Sequence, residues 1–494
     1  MARGTNPIKF GTWEPDKSTR QNPANEAKGV LRQQGTYVPT LSPASYQGIQ
    51  LPLTCIGAAG FYDPSYTAQV FLGTSAKLYQ IVSGTLTDVS NTGGYTTPYD
   101  RFWSFEQFGK YIVAAFRGVN PQYIDISTAN TTFQTLPGSP PQAETIGRVL
   151  NFLVAGLDQT LQWSAQNDIT TWGANVAVQS GSTTLDLSGG AIKRIIGGET
   201  GTILQQRHIR RMTYVGPPTI WQIDLVEERR GVIAQNAAVK FGRNIFIASE
   251  DGFYVFDGYQ SQPLGINRVD EYFTSRLNYP YRHHICCALD PVQRVVMWAY
   301  PAGSATLPSE ILYYSIGDDA WSHDDCSLEY LFEMPKPGYT LDNLYQFPGA
   351  ATGGNIDQPI LSTLSIDSPV FTEGRRQPAG VDQTHTMITY AGTNRPAIIE
   401  TMEINPQPGR RAYVSELWPI VDAPTQSISA SVRSRAAAPG DPVTETNIVT
   451  ANASGLCPIR IDGRYLRGRV YIASGAPWTH AEAVEAKATV TGAR

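Results

Sequence analysis

The chain is poor in charge, in cysteine and in long apolar runs, and each shortage removes a class of protein. Only 16% of its 494 residues are charged, and a formal net charge of -5 disfavours a general nucleic-acid binder, whose footprint is a basic surface. The cysteines are Cys55, Cys286, Cys287, Cys326 and Cys457. Their number is odd and no Cys-x-x-Cys pair occurs, which speaks against a disulfide framework or a zinc site. They read as small buried apolar groups, with Cys286 and Cys287 on opposite faces of one strand, in a chain that folds in a reducing compartment. No apolar run reaches the ~18 residues of a membrane helix. The start, Met1-Ala-Arg-Gly-Thr-Asn-Pro7, lacks the apolar stretch of a signal peptide. The expectation is a soluble protein made in a cytoplasm, without membrane insertion. Walker-type phosphate loops, Gly-x-Ser-x-Gly elbows and His-Glu-x-x-His helices are missing too. The commonest enzyme classes drop out, so no catalytic, metal or cofactor residue is assigned and a non-enzyme is expected.

What the chain has is turns and aromatic strands: 45 Gly, 34 Pro, 25 Tyr and 17 Phe, with no long stretch of helix-forming composition. The clearest unit lies within Ile203 to Gly265. There Asn244-Ile-Phe-Ile-Ala-Ser249 and Phe253-Tyr-Val-Phe256 flank Asp251-Gly252, and Asp257-Gly258 closes the unit. Two β-rich runs around an Asp-Gly turn form a hairpin signal, because Gly tolerates φ > 0 where the chain reverses. Similar units recur, with strands centred near residues 79, 124, 163, 213, 255 and 313. Their spacing of roughly 40 to 60 residues suits propeller blades. The fold class expected is all-β: a propeller of about six blades over 51–400, its loose register leaving a seventh open. Residues 1–50, rich in proline, read as an extended N-terminal arm. The pattern weakens into a loop-rich insertion near 335–400. A smaller β-rich part, sandwich-like or propeller-closing, follows over 401–494.

Trp163-Ser164 through Asp168 to Trp172 resembles the Asp-box turn of sialidases, and Ser315, Asp319 and Trp321 form a looser copy. Ser and Asp side chains can bond the turn's backbone while the Trp packs into the blade, so the expected role is structural. His283-His284, just before Cys286, reads as a strand edge rather than a metal site. Charge gathers at Arg207, Arg210 and Arg211 and again at Glu227 and Glu228, where cross-strand or cross-subunit ion pairs are expected. Arg467 and Arg469 share one strand face with Tyr465 and Tyr471, an arrangement that could stack on nucleic acid or meet a partner subunit's carboxylates. All seven charged residues are candidate subunit-interface groups.

Several stretches together resemble one family. They are Phe10-Gly-Thr-Trp-Glu-Pro-Asp16 with Asn22-Pro23 and Glu26-Ala27, Phe71-Leu-Gly-Thr-Ser-Ala-Lys-Leu-Tyr79, and Trp163 to Trp172. Arg207 to Gly216, Ser249 to Gly258, Gly463-Arg-Tyr465 and Trp478-Thr-His480 complete the set. In order and spacing these resemble the tail nozzle proteins of short-tailed bacteriophages, the packaged-DNA stabilisation family. The resemblance implies a virion subunit, synthesised in the host bacterial cytoplasm and assembled as a homo-oligomeric ring, a homohexamer, below the tail adaptor. Such a ring retains the packaged genome, meets a fibre, spike or needle protein, and passes double-stranded DNA transiently and without sequence preference. The acidic balance suits a conduit, since phosphate-binding walls would brake moving DNA. Two alternatives are a propeller glycosidase or sialidase acting on host surface glycans, and a receptor-type propeller binding module.

Overall fold

The computed structural model describes residues 7–63, 67–82, 84–128, 132–336, 375–436 and 440–491. The described chain is all-β, with 53% strand and 4% helix. Its repeating element is a four-stranded antiparallel meander, and the first runs through Ala58–Tyr62, Ala68–Gly73, Leu78–Val82 and Thr85–Asp88. Further meanders cover 104–135, 145–184, 192–228, 238–263 and 286–325. A seventh is assembled from Leu328–Pro335, Arg376–Asp382 and Thr386–Thr389, completed by Ala44–Gln50 from the far end of the chain. The strands anticipated near residues 79 to 313 are the third strands of the first six meanders, each followed by one more outer strand. A seventh was left open from sequence, and its make-up was not foreseen because its strands come from both ends of the chain.

The arrangement is propeller-like. Leading strands of successive meanders pack side by side, and the strand Leu328–Pro335 returns to pack on Ala58–Tyr62. Between the fourth and fifth meanders the link is polar. Arg194 donates to Gln235 O at 3.3 Å and to Asn236 Oδ1 at 3.1 Å, and Lys240 donates to Gly197 O at 2.7 Å. The third and fourth meanders approach closely as well. A Cβ on Gly197 would lie 1.7 Å from Arg148 O, so no side chain fits there without moving backbone.

The hairpin at Asp251-Gly252 forms as expected, with Ser249 paired to Gly252. Gly252 has φ +135°, and a Cβ there would strike the Asp270 carboxylate at 2.3 Å, which is needed close by to accept from Phe253 N. Asp257 Oδ1 accepts from Tyr259 N and Gln260 N at 2.8 Å, closing the second Asp-Gly turn with Gly258 at φ +99°. Buried Cys286 and Cys287 point into different cores, as their adjacency on a strand requires. His283 and His284 end a 3-10 helix, Tyr279–His284, instead of starting a strand. Pro280 near its start and the tight turn into Cys286 favour that geometry.

Residues 7–50 are not an extended arm. Ile8–Lys9, Val30–Gln33 and Thr36–Pro39 join a sheet with Ala412–Val421, Cys457–Gly463 and Ala481–Val490. Ala24–Lys28 enters a ten-stranded sheet, parallel to Ala320–Asp325 of the sixth meander and antiparallel to Ala397–Thr401. That sheet continues through Tyr465–Ile472 and Ile428–Arg435. Val414, Leu417 and Val484 of one sheet share a core with Ile399, Val432 and Val470 of the other, forming a sandwich. Proline hid these strands. Each is short, and Pro15, Pro23, Pro39 and Pro43 stand in the turns or at strand ends, where a missing N–H costs no ladder bond. The greater part of the anticipated insertion, 337–374, lies outside the described residues.

Because the first fifty residues supply the outer strand of the seventh meander and half of the joint to the sandwich, removing them should prevent folding. Deletion of residues 1–50 is expected to abolish the cooperative thermal transition in scanning calorimetry. A truncated chain melting within about 3 °C of the full one would show that the segment is a dispensable arm.

Candidate functional site

The Asp-box segment sits between the third and fourth strands of its meander, Thr160–Trp163 and Gly181–Thr184. Buried Ser164 accepts from Leu153 N at 3.1 Å and donates to Ala165 O at 3.0 Å. Asp168 accepts from Thr170 N at 2.8 Å and from the Thr170 and Thr171 hydroxyls at 2.7 and 2.6 Å. Trp172 donates to Ile169 O at 2.7 Å and packs against the neighbouring apolar cluster. Burial pushes the Asp168 carboxyl upward, but the hydrogen bonds from Thr171 and Thr170 outweigh it and hold the group below the usual carboxylate range. In the looser copy, Ser315 is buried and Asp319 takes φ +49° while accepting from Tyr314 and Arg268 at 2.8 Å. Trp321 is buried and donates to Leu264 O at 3.3 Å. Both segments are turn devices built from their own side chains.

The charge-rich pair of strands is neutralised within the chain, by carboxylates other than the ones expected. Glu227 and Glu228 stand opposite Ile209 and His208, not opposite arginines. Buried Arg210 pairs with Asp186 and donates to Gln205 Oε1 at 2.8 Å. Arg211 reaches Asp224 at 3.5 Å and lies over the Tyr259 ring. Glu227 accepts from Ser261 N and Oγ at 2.7 and 2.8 Å, tying the fourth meander to the fifth. Arg207 and Glu228 are exposed. These two alone of the five keep the exposure that a subunit contact would use.

Arg467 and Arg469 are 6% and 9% exposed, so the expectation that they face a partner subunit does not match their position. They belong to a chain of alternating charges that crosses the joint between meander and sandwich. Arg276 Nε meets Glu310 Oε2 at 2.8 Å, and Glu310 Oε1 lies 3.5 Å from His323 Nδ1. His323 Nε2 is 2.5 Å from Glu26 Oε1, and Glu26 Oε2 is 3.7 Å from Arg469. Arg469 and Arg433 each reach Glu400 Oε2 at 3.0 Å, and Arg467 reaches Glu400 Oε1 at 2.8 Å. Glu403 continues the series at 3.7 Å from Arg467 and 3.6 Å from Arg435. Strand alternation puts Arg467 and Arg469 on one face, as the sequence indicated, but that face is turned inward.

Aromatic rings seal this network. Trp13 stacks on His323 at 4.6 Å between centroids, and Tyr272 meets Trp13 edge-on at 5.0 Å while its hydroxyl donates to Glu310. Burial alone would lower the His323 pKa, but hydrogen bonds and charge from Glu26 and Glu310 raise it to about 9. Burial would raise Glu310, yet His323, Tyr272 and Arg276 bring it down to about 2. His323 is therefore an imidazolium at neutral pH, held between two carboxylates. Glu400 was not singled out from sequence. A single carboxylate inside the apolar strand Ala397-Ile-Ile-Glu-Thr401 was the available signal.

Among the described residues, no group of three or more His, Cys, Asp or Glu is placed to hold a metal ion. No protein-family model and no curated protein matches the chain. Solved structures match at low identity. The extracellular domain of a hybrid two-component system from B. thetaiotaomicron is 10% identical over 59% of this chain, with a TM-score of 0.41. This chain spans 38% of that protein. A chain of the mitotic checkpoint complex is 9% identical, over 63% of this chain and 96% of its own length, with a TM-score of 0.39.

Two outcomes follow from these contacts. Asp168→Ala removes three accepted hydrogen bonds in a half-buried turn and should lower stability by about 1 kcal/mol in urea titration, against an unchanged midpoint if the turn were slack. The joint sets a pH dependence. The raised pKa of His323 contributes stability fully below its ordinary 6.5, and that contribution is lost as pH rises through about 9. The lowered pKa of Glu310 contributes above its ordinary 4.5 and is lost as pH falls through about 2. The stability gap between the wild type and His323→Gln should be constant between these two ordinary values and shrink towards pH 9. A gap that grows with rising pH would contradict the assignment.

Proposed function

We propose that this chain is a structural subunit of the tail nozzle of a short-tailed bacteriophage, a ring below the tail adaptor that retains packaged DNA and later conducts it out. What supports the reading is the place of the residues that carry the family resemblance. Asp16 accepts from Glu271 N and Tyr272 N at 3.0 and 2.7 Å, and Asn22 Oδ1 accepts from Glu14 N at 3.0 Å. Phe10, Trp13, Ala27 and Trp478 lie in the core shared by the meanders and the sandwich, and Glu26 pairs with His323. The resembling residues between Phe10 and Ala27, with Trp478, thus help to weld the two parts together. A wall that withstands the pressure of a filled head needs such a joint, because a flexible linker would let the parts swing apart.

In this reading the seven meanders form one closed seven-bladed propeller, which offers stiff side walls for head-to-tail contacts in a closed homohexameric ring. Exposed Arg207 and Glu228 are candidates for such contacts. Fibre, spike or needle proteins would bind the assembled virion tail, and DNA would pass through the ring between subunits. The protein would act without catalysis and without a cofactor.

Particles made without the protein should fill with DNA at a normal rate, then lose it and remain non-infectious. Purified protein added to freshly filled, adaptor-bearing heads should restore retention, measured as nuclease-resistant DNA. Failure to package, or stable DNA with only host attachment lost, would defeat the reading. Release of reducing sugar from host surface polysaccharide by the purified chain would favour the glycosidase alternative instead.

A further inference from the structure

The leading strands of the meanders line an open cavity of ≈ 750 Å³ that gathers four cations and three carboxyls. Arg148, Arg194, Lys240 and Arg376 reach it from the third, fourth, fifth and seventh meanders. Glu106, Glu199 and Glu333 face it too. Four cations thus converge from separate strands on one space, in a chain whose net charge is negative.

Asn236 supplies the second observation. It is 6% exposed, lines the cavity, and its Nδ2 has no hydrogen-bond partner. Its Oδ1 accepts from Arg194 at 3.1 Å, which fixes the amide so that the unsatisfied donor is the other end. That bond holds the Arg194 guanidinium at the cavity wall. Burial pushes the Glu106 carboxyl up to about 7 despite the nearby Arg194 and Arg148, and burial raises Glu333 despite Arg376. Four cations stand against three carboxyls, with Arg376 and Glu333 3.9 Å apart, so the cations predominate by number.

We propose that this cavity is a binding site for a small ligand bearing two or more oxyanion groups, held by Arg194, Arg148 and Lys240. A cavity of this size holds a compact organic ligand, and guanidinium groups offer paired donors to carboxylate or phosphate. The site is separate from the joint and from the outer surfaces of the proposed ring. Its occupancy can be measured on the isolated chain whatever the fate of the nozzle reading.

The test is calorimetric titration of the purified full chain with citrate and, separately, with inorganic pyrophosphate, at matched ionic strength in chloride. Binding of either probe at or below about 1 mM is expected, and the stronger probe assigns the carboxylate or phosphate class. Lys240→Gln, an exposed position that also donates to Gly197 O, should weaken binding about tenfold in a chain that still melts cooperatively. Asn236→Asp, which sets a competing carboxylate against Arg194, should abolish it. Absence of heat from both probes, or affinities unmoved in the Lys240→Gln protein, would overturn the assignment.

Discussion

The structure depends on the insertion of one short strand, Ala24–Lys28, between the outer edge of the sixth meander and the sandwich. Its pairing with Ala320–Asp325 on one side and Ala397–Thr401 on the other makes a single sheet of two parts. Ala24 and Ala27 are fully buried, whereas Glu26 points into the charge network, so the strand is specified by small side chains and one carboxylate. An unpaired sheet edge would remain on both parts without it, with N–H and C=O groups open to other chains.

The alternating charges that run through this joint are a weak source of net stability, because each ion gives up hydration on burial. Their consequence is specificity. Each guanidinium in the series meets a carboxylate from another segment of the chain, three of them sharing Glu400, and a shift of register by one residue would turn the strand-borne charges to the opposite face. The aromatic cover of Trp13, Tyr272 and Trp321 excludes water and sharpens that penalty. The same logic governs the inner strands, where Gly197 lets backbone meet backbone and leaves the cavity lined by long polar side chains.

Much of the repeating unit was legible. Six third strands lie where aromatic and β-branched runs stand, Asp168 bonds its own turn's backbone, and Gly252 and Gly258 take the positive φ their Asp-Gly turns require. The make-up of the seventh meander was hidden, because its outer strand Ala44–Gln50 precedes its inner strand by nearly the whole propeller. Arg467 and Arg469 were correctly placed on one face, but the direction of that face depends on which sheet packs against it.

By itself the sequence determined the class, the hairpins and the turn devices, since these rest on alternation and on hydrogen bonds spanning a few residues. Tertiary structure alone decided that the first fifty residues are woven into both parts, and that the arginine-rich strand faces inward. The physical reason is separation along the chain. His323 and Glu26 are 297 residues apart, and no local pattern encodes which carboxylate will meet which cation once strands from both ends share one sheet.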